Sequence, residues 1–427
     1  MSKKAVNPWK TSDEEEHFPS IIEWWCAEGF FKTKENNQKW TFKGSFTEWY
    51  EGKNKIGMNT NLTIFDLEND THTNYFLRDD NRKLDIKKDP FTVKFKDTYI
   101  QGKYPSYKIK FKDPYNKIEL NLNYKSKSMP HWVAQDVSNG YLPMGSGFYR
   151  YGFIPRNDFD GELIIKDKIY KIKGEGYFEH VWGDFSYTNP LSTSSGLKKS
   201  ISIYSKLIGW WIKNHNPKIP NSLKFSTENN PLGYDWAWAI LDNGWSVFFG
   251  NILFFVMKGP ITGTLILTKD GKKYTEFCNV SFQYLKEIYS KEYDIYYPTE
   301  IRVTARNKKE KIVLNFRNTH KISKLVSPIK NQKLWTSFVI YEEPGEVDGY
   351  YQNDKQKIHL SGKCKIEPQR QISKLGHNSL QIDFIKPPRG VGIDIDFDSH
   401  YLNKKIKTTF KFTPKPHFKF HFKKINF

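Results

Sequence analysis

The sequence predicts an all-β protein of antiparallel barrels or sandwiches, on three observations. Alternating apolar and polar residues recur along almost the whole chain, as in "FTVKFKD", "YKIKFKD", "KIELNLNY", "GELIIKDKIYKIKG", "KIVLNF" and "GIDIDFD", which is the pattern of strands with one buried face. Each run is short and bounded by Gly, Pro, Asn or Asp, the residues of hairpin turns. Aromatic residues make up 16% of the chain, while mean hydropathy is only −0.69. Apolar character therefore sits in large rings, which suit strands and ring-lined cavities better than helical bundles.

At 427 residues the chain is too long for one small barrel and suggests two or three folding units. Residues 1–15 read as a disordered N-terminus, with no apolar core of the kind a signal peptide carries. A first unit is expected over 16–256 and a second over 257–385, with the strand "GYDWAW" completing the first barrel and the second beginning near Gly259. The first unit is interrupted by an insertion, 186–230. Within it, Leu197, Ile201, Tyr204, Ile208 and Trp211 recur at helical spacing over 195–215, with Lys198, Lys199, Lys206 and Lys213 elsewhere on the wheel. This predicts an amphipathic helix that buries its apolar stripe either on the barrel or in an anionic membrane surface. Residues 386–427 form a basic segment whose alternation predicts either edge strands for the second unit or a free tail. "GELIIKDKIYKIKGEGYFEH" and "GYYQNDKQKIHLSGKCKIEP" both run strand, turn, strand into an acidic residue, as two related barrels in tandem would.

The formal charge is +20, which attracts polyanions. Lysine greatly outnumbers arginine, and no helix-turn-helix, zinc-finger or RNP motif is present, so nucleic-acid binding is not expected. Cys26, Cys278 and Cys364 are far apart and form no zinc or disulfide framework. The most apolar run, "NILFFVMKGPITGTLIL", is broken by Lys258, Gly259 and Pro260, short of a spanning helix. These features lead us to expect a cytoplasmic protein, with peripheral membrane contact through 195–215 as the alternative.

Three aromatic-acidic clusters stand out: "IIEWWCAEGFF" with Glu23, Trp24 and Trp25; "GYFEHVWGDF" with Glu179, His180 and Trp182; and "GYDWAWAILDNGW" with Tyr234, Asp235, Trp236 and Trp238. On a strand, residues two apart share a face. His180 and Trp182 therefore point one way and Glu179 and Val181 the other, and Asp235 opposes Tyr234, Trp236 and Trp238. Ordinary packing at the end of a barrel would also produce such clusters. No second His or Cys stands at ligand spacing from His180, so no metal is expected. There is no nucleophile elbow for a Ser-His-Asp hydrolase.

In the order "EWW", "SNGYL", "GFYRYGF", "FDGELII", "GEGYFEHVWGDF" and "GYDWAWAILDNG", followed by "GPITGTLILTKDG", "YYPTEIRV" and "GYYQNDKQKIHLSG", the chain resembles the AttH-like family that contains carotenoid 1,2-hydratase, also called hydroxyneurosporene synthase. The resemblance runs over residues 20–385. It implies two tandem lipocalin-like antiparallel β-barrels, with the short helical insertion in the first. It also implies a cofactor-independent hydro-lyase that adds water to an isoprenoid C=C bond, and related members are pericyclic cyclases. His180 and Trp182 match the family's "DH-x-WG" pattern, and Tyr234, Asp235 and Trp236 match its "W-D-W" neighbourhood. Glu179 stands where the family has Asp, Cys26 stands where it has Tyr, and the insertion is unusually long and basic.

Hydrating an alkene needs a proton donor, and a carboxyl serves if burial keeps it protonated near neutral pH. Asp235 or Glu179 is the candidate acid. His180 would be its hydrogen-bonded partner or the base that activates water. Trp182, Trp236 and Tyr234, with Trp24 and Trp25, are the expected ligand-binding wall, because aromatic faces stabilise a cation. The alternatives are a non-catalytic lipid or isoprenoid carrier and a cyclase that only folds a polyene into a reactive shape.

Overall fold

A computed structural model describes residues 9–17, 20–51, 55–144, 146–186, 196–215, 222–226, 232–254, 262–277, 279–293, 295–328, 335–373, 378–385, 391–399, 404–412 and 421–424. The fold is all-β, built on two strongly curled antiparallel half-barrel sheets. The first sheet runs from Thr71–Asp79 through Lys55–Asp66, Lys39–Glu51, Ile22–Thr33, Lys168–Asp184, Gly147–Ile165, Ile118–Ser126, Ser106–Asp113, Thr98–Lys103 and Phe91–Phe95 to Asp85–Lys88. Its concave side is packed solid by rings and aliphatics, among them Trp25, Phe42, Phe46, Phe111 and Phe178. Each such ring contributes on the order of 2–3 kcal/mol on burial. The curl brings Phe111 so close to the Lys39–Glu51 strand that a Cβ at Gly44 would overlap its ring.

The second sheet centres on Ser246–Phe254, Leu232–Leu241, Lys357–Ser373 and Trp335–Asn353, with Val303, Leu314 and Phe316 in its own core. Here the boundary moves. The "GYDWAW" strand hydrogen-bonds to Ser246–Phe254 and Lys357–Ser373 and so belongs to the second sheet, not the first. Its rings misled the sequence reading because they face the first sheet: Trp236 and Trp238 pack with Phe30, Tyr151, Phe153 and Tyr177 in a layer between the two sheets. Gly259 lies outside the described residues.

The N-terminal stretch is better organised than expected, and the C-terminal region forms strands as its alternation predicted. Residues 9–17, within and beside the stretch read as disordered, cap the first half-barrel, with a 3-10 turn at Thr11–Glu14. Glu14 is fully buried and accepts hydrogen bonds from Trp9 Nε1 (3.2 Å), Tyr107 Oη (2.9 Å) and Tyr104 N (3.1 Å). The basic tail supplies Val391–Ser399, Lys404–Phe412 and His421–Lys424, which join Asn378–Ile385 and Ser222–Ser226 of the insertion in a third antiparallel sheet.

The helix Leu197–His215 is present, but it docks through a different stripe. Ser200 and Ile203 are buried, whereas Leu197 (45%), Ile201 (55%), Ile208 (51%) and Ile212 (50%) are exposed. The Trp211 side chain and Cys278 lie outside the described residues. Cys26 and Cys364 are buried thiols. No helix of the described residues is long and apolar enough to cross a membrane.

Candidate active site

The ligand-sized space is not inside the first half-barrel, as expected, because side chains fill that interior. A cavity of about 580 Å³ lies instead between the two sheets, under the helix Leu197–His215. The first sheet contributes Trp24, Cys26, Glu28, Tyr149, Tyr151 and Glu179; the second contributes Tyr234, Trp236, Phe248 and Glu367; the helix contributes Tyr204, Leu207, Ile208 and Trp210. The volume is in the range of small-molecule pockets.

Strand parity decides which predicted residues reach it. In the paired strands Ile22–Thr33 and Lys168–Asp184, Cys26 lies opposite Glu179 and Trp25 opposite His180. Trp24, Cys26 and Glu28 therefore share the cavity face with Glu179, while Trp25, His180 and Trp182 point to the other face. Of the predicted residues, the cavity gathers Glu179, Trp24, Tyr234 and Trp236 and is bordered by Asp235, whose side chain has the opposite strand parity to Tyr234 and Trp236. His180, Trp182 and Trp25 do not line it. His180 is fully buried, stacked 4.7 Å from Trp25, with Nδ1 2.8 Å from the Asp13 carbonyl and Nε2 2.8 Å from Glu23. Burial holds its pKa below the usual value.

Glu179 accepts hydrogen bonds from Trp24 Nε1 (2.8 Å), Tyr177 Oη (3.0 Å) and the Tyr151 hydroxyl. Its pKa is pushed up to about 7, chiefly by burial, with the nearby charges of Glu28 and Glu367 adding to the rise and the hydrogen bonds from Tyr151 and Trp24 opposing it. Near neutral pH this carboxyl is thus poised between its two forms, as a general acid must be. Glu276, partly open to the cavity, is likewise pushed up to about 7 by burial. Its Oε1 accepts from Ala134 N (2.7 Å) and Thr264 Oγ1 (3.1 Å).

Asp235 is held differently. Arg370 Nη2 meets Oδ1 at 2.8 Å, while Asn251 Nδ2 (3.0 Å) and the Tyr284 hydroxyl donate to Oδ2. Both partners of the ion pair are fully buried. A carboxylate bound to a guanidinium and saturated with donors is taken up by its own partners and offers no free oxygen to a ligand.

Beside Glu179 lies a buried charge cluster that sequence reasoning missed. Lys43 contacts Glu367, Glu342 (3.3 Å) and Glu28 (3.9 Å); Lys365 contacts Glu28 (3.4 Å), which also accepts from Trp238 Nε1 (3.0 Å). Although burial works against it, these carboxylates keep Lys43 charged to well above the usual pH. Glu28 was legible from same-face spacing with Trp24 and Cys26. Glu367 is the acidic residue that ends the second of the two similar hairpins, whereas Lys43 and Lys365 lie in ordinary-looking strands and carry no local signal.

The two hairpins noted as similar in sequence place their acidic residues alike. Glu179 lies opposite Cys26 and Glu367 opposite Trp236. Two positions earlier on each partner strand, Trp24 and Tyr234 donate to Glu179 and Glu367 respectively, the latter at 2.9 Å.

No protein-family model and no curated protein matches the sequence. Solved structures do match the fold. A protein from Nitrosomonas europaea described as AttH superposes with a TM-score of 0.57 at 14% identity, covering 86% of this chain and 98% of that one. Kievitone hydratase from Nectria haematococca superposes with a TM-score of 0.54 at 11% identity, covering 86% and 94%. The chain therefore has the two-domain β fold of AttH.

Proposed function

We propose that this protein binds a long apolar molecule, of the isoprenoid or lipid class, between its two sheets and adds water across a C=C bond, with Glu179 as the acid. The observation that carries this reading is a buried carboxyl with a pKa of about 7, held by phenol and indole donors on an aromatic wall. Glu179 gives its proton to the less substituted alkene carbon, and the π pair becomes the new C–H bond. The cation left on the other carbon lies against the faces of Trp24, Trp236 and Phe248. Water adds through an oxygen lone pair and returns one proton to the Glu179 carboxylate, so one water is gained, no redox change occurs and the acid is restored. Tyr151, Tyr177 and Trp24 stabilise the carboxylate in between. That a hydratase shares this fold supports the reading by analogy only.

The test is native mass spectrometry of the purified protein to name a bound lipid, followed by turnover with that lipid. The expected product carries one added water and is lost in Glu179→Gln. Binding without hydration would turn the reading to a carrier or a pericyclic cyclase, and failure to bind any prenyl lipid or polyene would end it.

We further propose that the ligand is taken from an anionic membrane. Leu197, Ile201, Ile208 and Ile212 form one exposed stripe of the cavity roof, with exposed Lys198, Lys206 and Lys213 beside it and no acidic residue in the helix. Each lysine near an anionic surface contributes roughly 1 kcal/mol. Co-sedimentation with anionic vesicles at low salt, reduced by Ile201→Glu/Ile208→Glu, is expected. Equal sedimentation of both forms would reject it.

A further inference from the structure

On the far side of the sheet from Glu179, the fold brings together three groups that sequence spacing kept apart. His17 comes from the N-terminal cap, Glu23 from the Ile22–Thr33 strand and His180 from the Lys168–Asp184 strand. One donor atom from each lies within 4.8 Å of the others. His180 Nε2 is 2.8 Å and His17 Nδ1 3.0 Å from the same Glu23 oxygen, Oε1.

The hydrogen positions at His180 are constrained. Nδ1 lies 2.8 Å from the Asp13 carbonyl oxygen, which can only accept, so Nδ1 carries a hydrogen. In the neutral ring Nε2 then has a lone pair, and that lone pair is aimed at a carboxylate oxygen. Two lone pairs at that separation repel unless a cation lies between them. A metal-ligating histidine has this arrangement, with its remote N–H fixed on a carbonyl and its other nitrogen facing the ion. The rings are also clamped before any ion arrives: Trp25 stacks on His180 at 4.7 Å, and Trp182 stacks on His17 at 3.6 Å with an interplanar angle of 7°. His180 and Glu23 are 0% and 1% exposed, while His17, at 23%, faces solvent and gives an ion access.

We infer that His17, Glu23 and His180 form a binding site for a divalent transition metal, best suited to Zn²⁺. Two imidazoles and one carboxylate are a familiar zinc ligand set, with bonds of about 2.0–2.2 Å and a fourth position left to water. The ion pins the N-terminal cap to two neighbouring strands of the first sheet. Because those strands present Glu179 on their opposite face, the site is separate from the cavity, and its occupancy is independent of the proposed hydration.

The test uses the full chain, stripped with chelator and titrated with Zn²⁺ and with Co²⁺, whose visible absorption reports its ligands. Wild type is expected to bind one equivalent and to gain thermal stability. His17→Ala, a change at the one partly exposed ligand, is expected to fold but to weaken binding by about a hundredfold or more, on the scale set by losing groups that support a metal site. Glu23→Gln and His180→Ala should do the same where they fold. Absence of saturable binding in wild type, or binding and Co²⁺ spectra unchanged by His17→Ala, would overturn the inference and leave a proton between His180 and Glu23.

Discussion

Glu179 and Glu367 occupy equivalent places in the two sheets that wall the cavity, yet their surroundings differ in charge. Each accepts a hydrogen bond from the ring two positions along the neighbouring strand, Trp24 for one and Tyr234 for the other. Glu367 also meets the Lys43 ammonium, and Lys365 stands two residues before it, where Tyr177 stands before Glu179. The donors to Glu179 are neutral. Deeper in the second sheet, Asp235 is bound to Arg370. Burial raises both carboxyls, but Lys43 of the first sheet meets Glu367 and Arg370 of the second meets Asp235, whereas the donors to Glu179 are neutral rings, which sets Glu179 apart from those two as a carboxyl placed to give a proton to an apolar ligand.

The sharpest way to break this comparison is to remove the counter-charge. Arg370→Leu leaves Asp235 buried without its partner and should cost about 3–5 kcal/mol, measured as a fall in the urea midpoint. Little change would mean that Asp235 does not depend on the ion pair. Next in size, Glu179→Gln should lower turnover by about a hundredfold or more while ligand binding persists; activity within a few-fold of wild type would remove Glu179 from the chemistry.

The same variant carries a pH signature. A carboxyl raised from an ordinary 4.5 to about 7 binds more protons folded than unfolded. Its contribution to stability is therefore complete below pH 4.5 and is lost as pH rises through 7. Wild type should lose about 3 kcal/mol more than Glu179→Gln across that window. Parallel stability curves for the two proteins would contradict the assignment.

Tyr177→Lys would make the first wall resemble the second. A cation beside Glu179 lowers its pKa by about one unit or more, so activity at pH 7 should fall about fivefold or more and its decline with rising pH should begin earlier; an unchanged profile would show that counter-charge is not the distinction. The smallest expected effect is that of Tyr151→Phe. It removes a hydrogen bond that favours the carboxylate, and the activity decline should move to higher pH by less than about one unit. A move in the opposite direction would contradict the role given to the phenol.

Much of this was legible in the alternation of the strands, and the reasons the rest was not are physical. Parity separated Glu179 from His180, but the sequence could not say which face turned to the cavity, because both carry rings. Trp236 and Tyr234 were read as part of the first barrel because their side chains meet it, whereas backbone pairing, which fixes sheet membership, leaves no trace in side-chain type. Glu14 fell in the stretch read as disordered because its donors, Tyr104 and Tyr107, lie about ninety residues away. His17 showed no ligand spacing to His180 for the same reason. By contrast, the likeness of the two hairpins was visible from the start, and it placed Glu179 and Glu367 at matching positions.

The central claim is that Glu179 holds a proton near neutral pH. Titrating the side-chain carboxyl carbons of ¹³C-glutamate-labelled protein, wild type against Glu179→Gln, tests it directly. A resonance that titrates at about pH 7 and is missing from the variant is expected, while that of Glu276 remains. A Glu179 resonance that titrates in the ordinary carboxylate range, near 4.5, would contradict it.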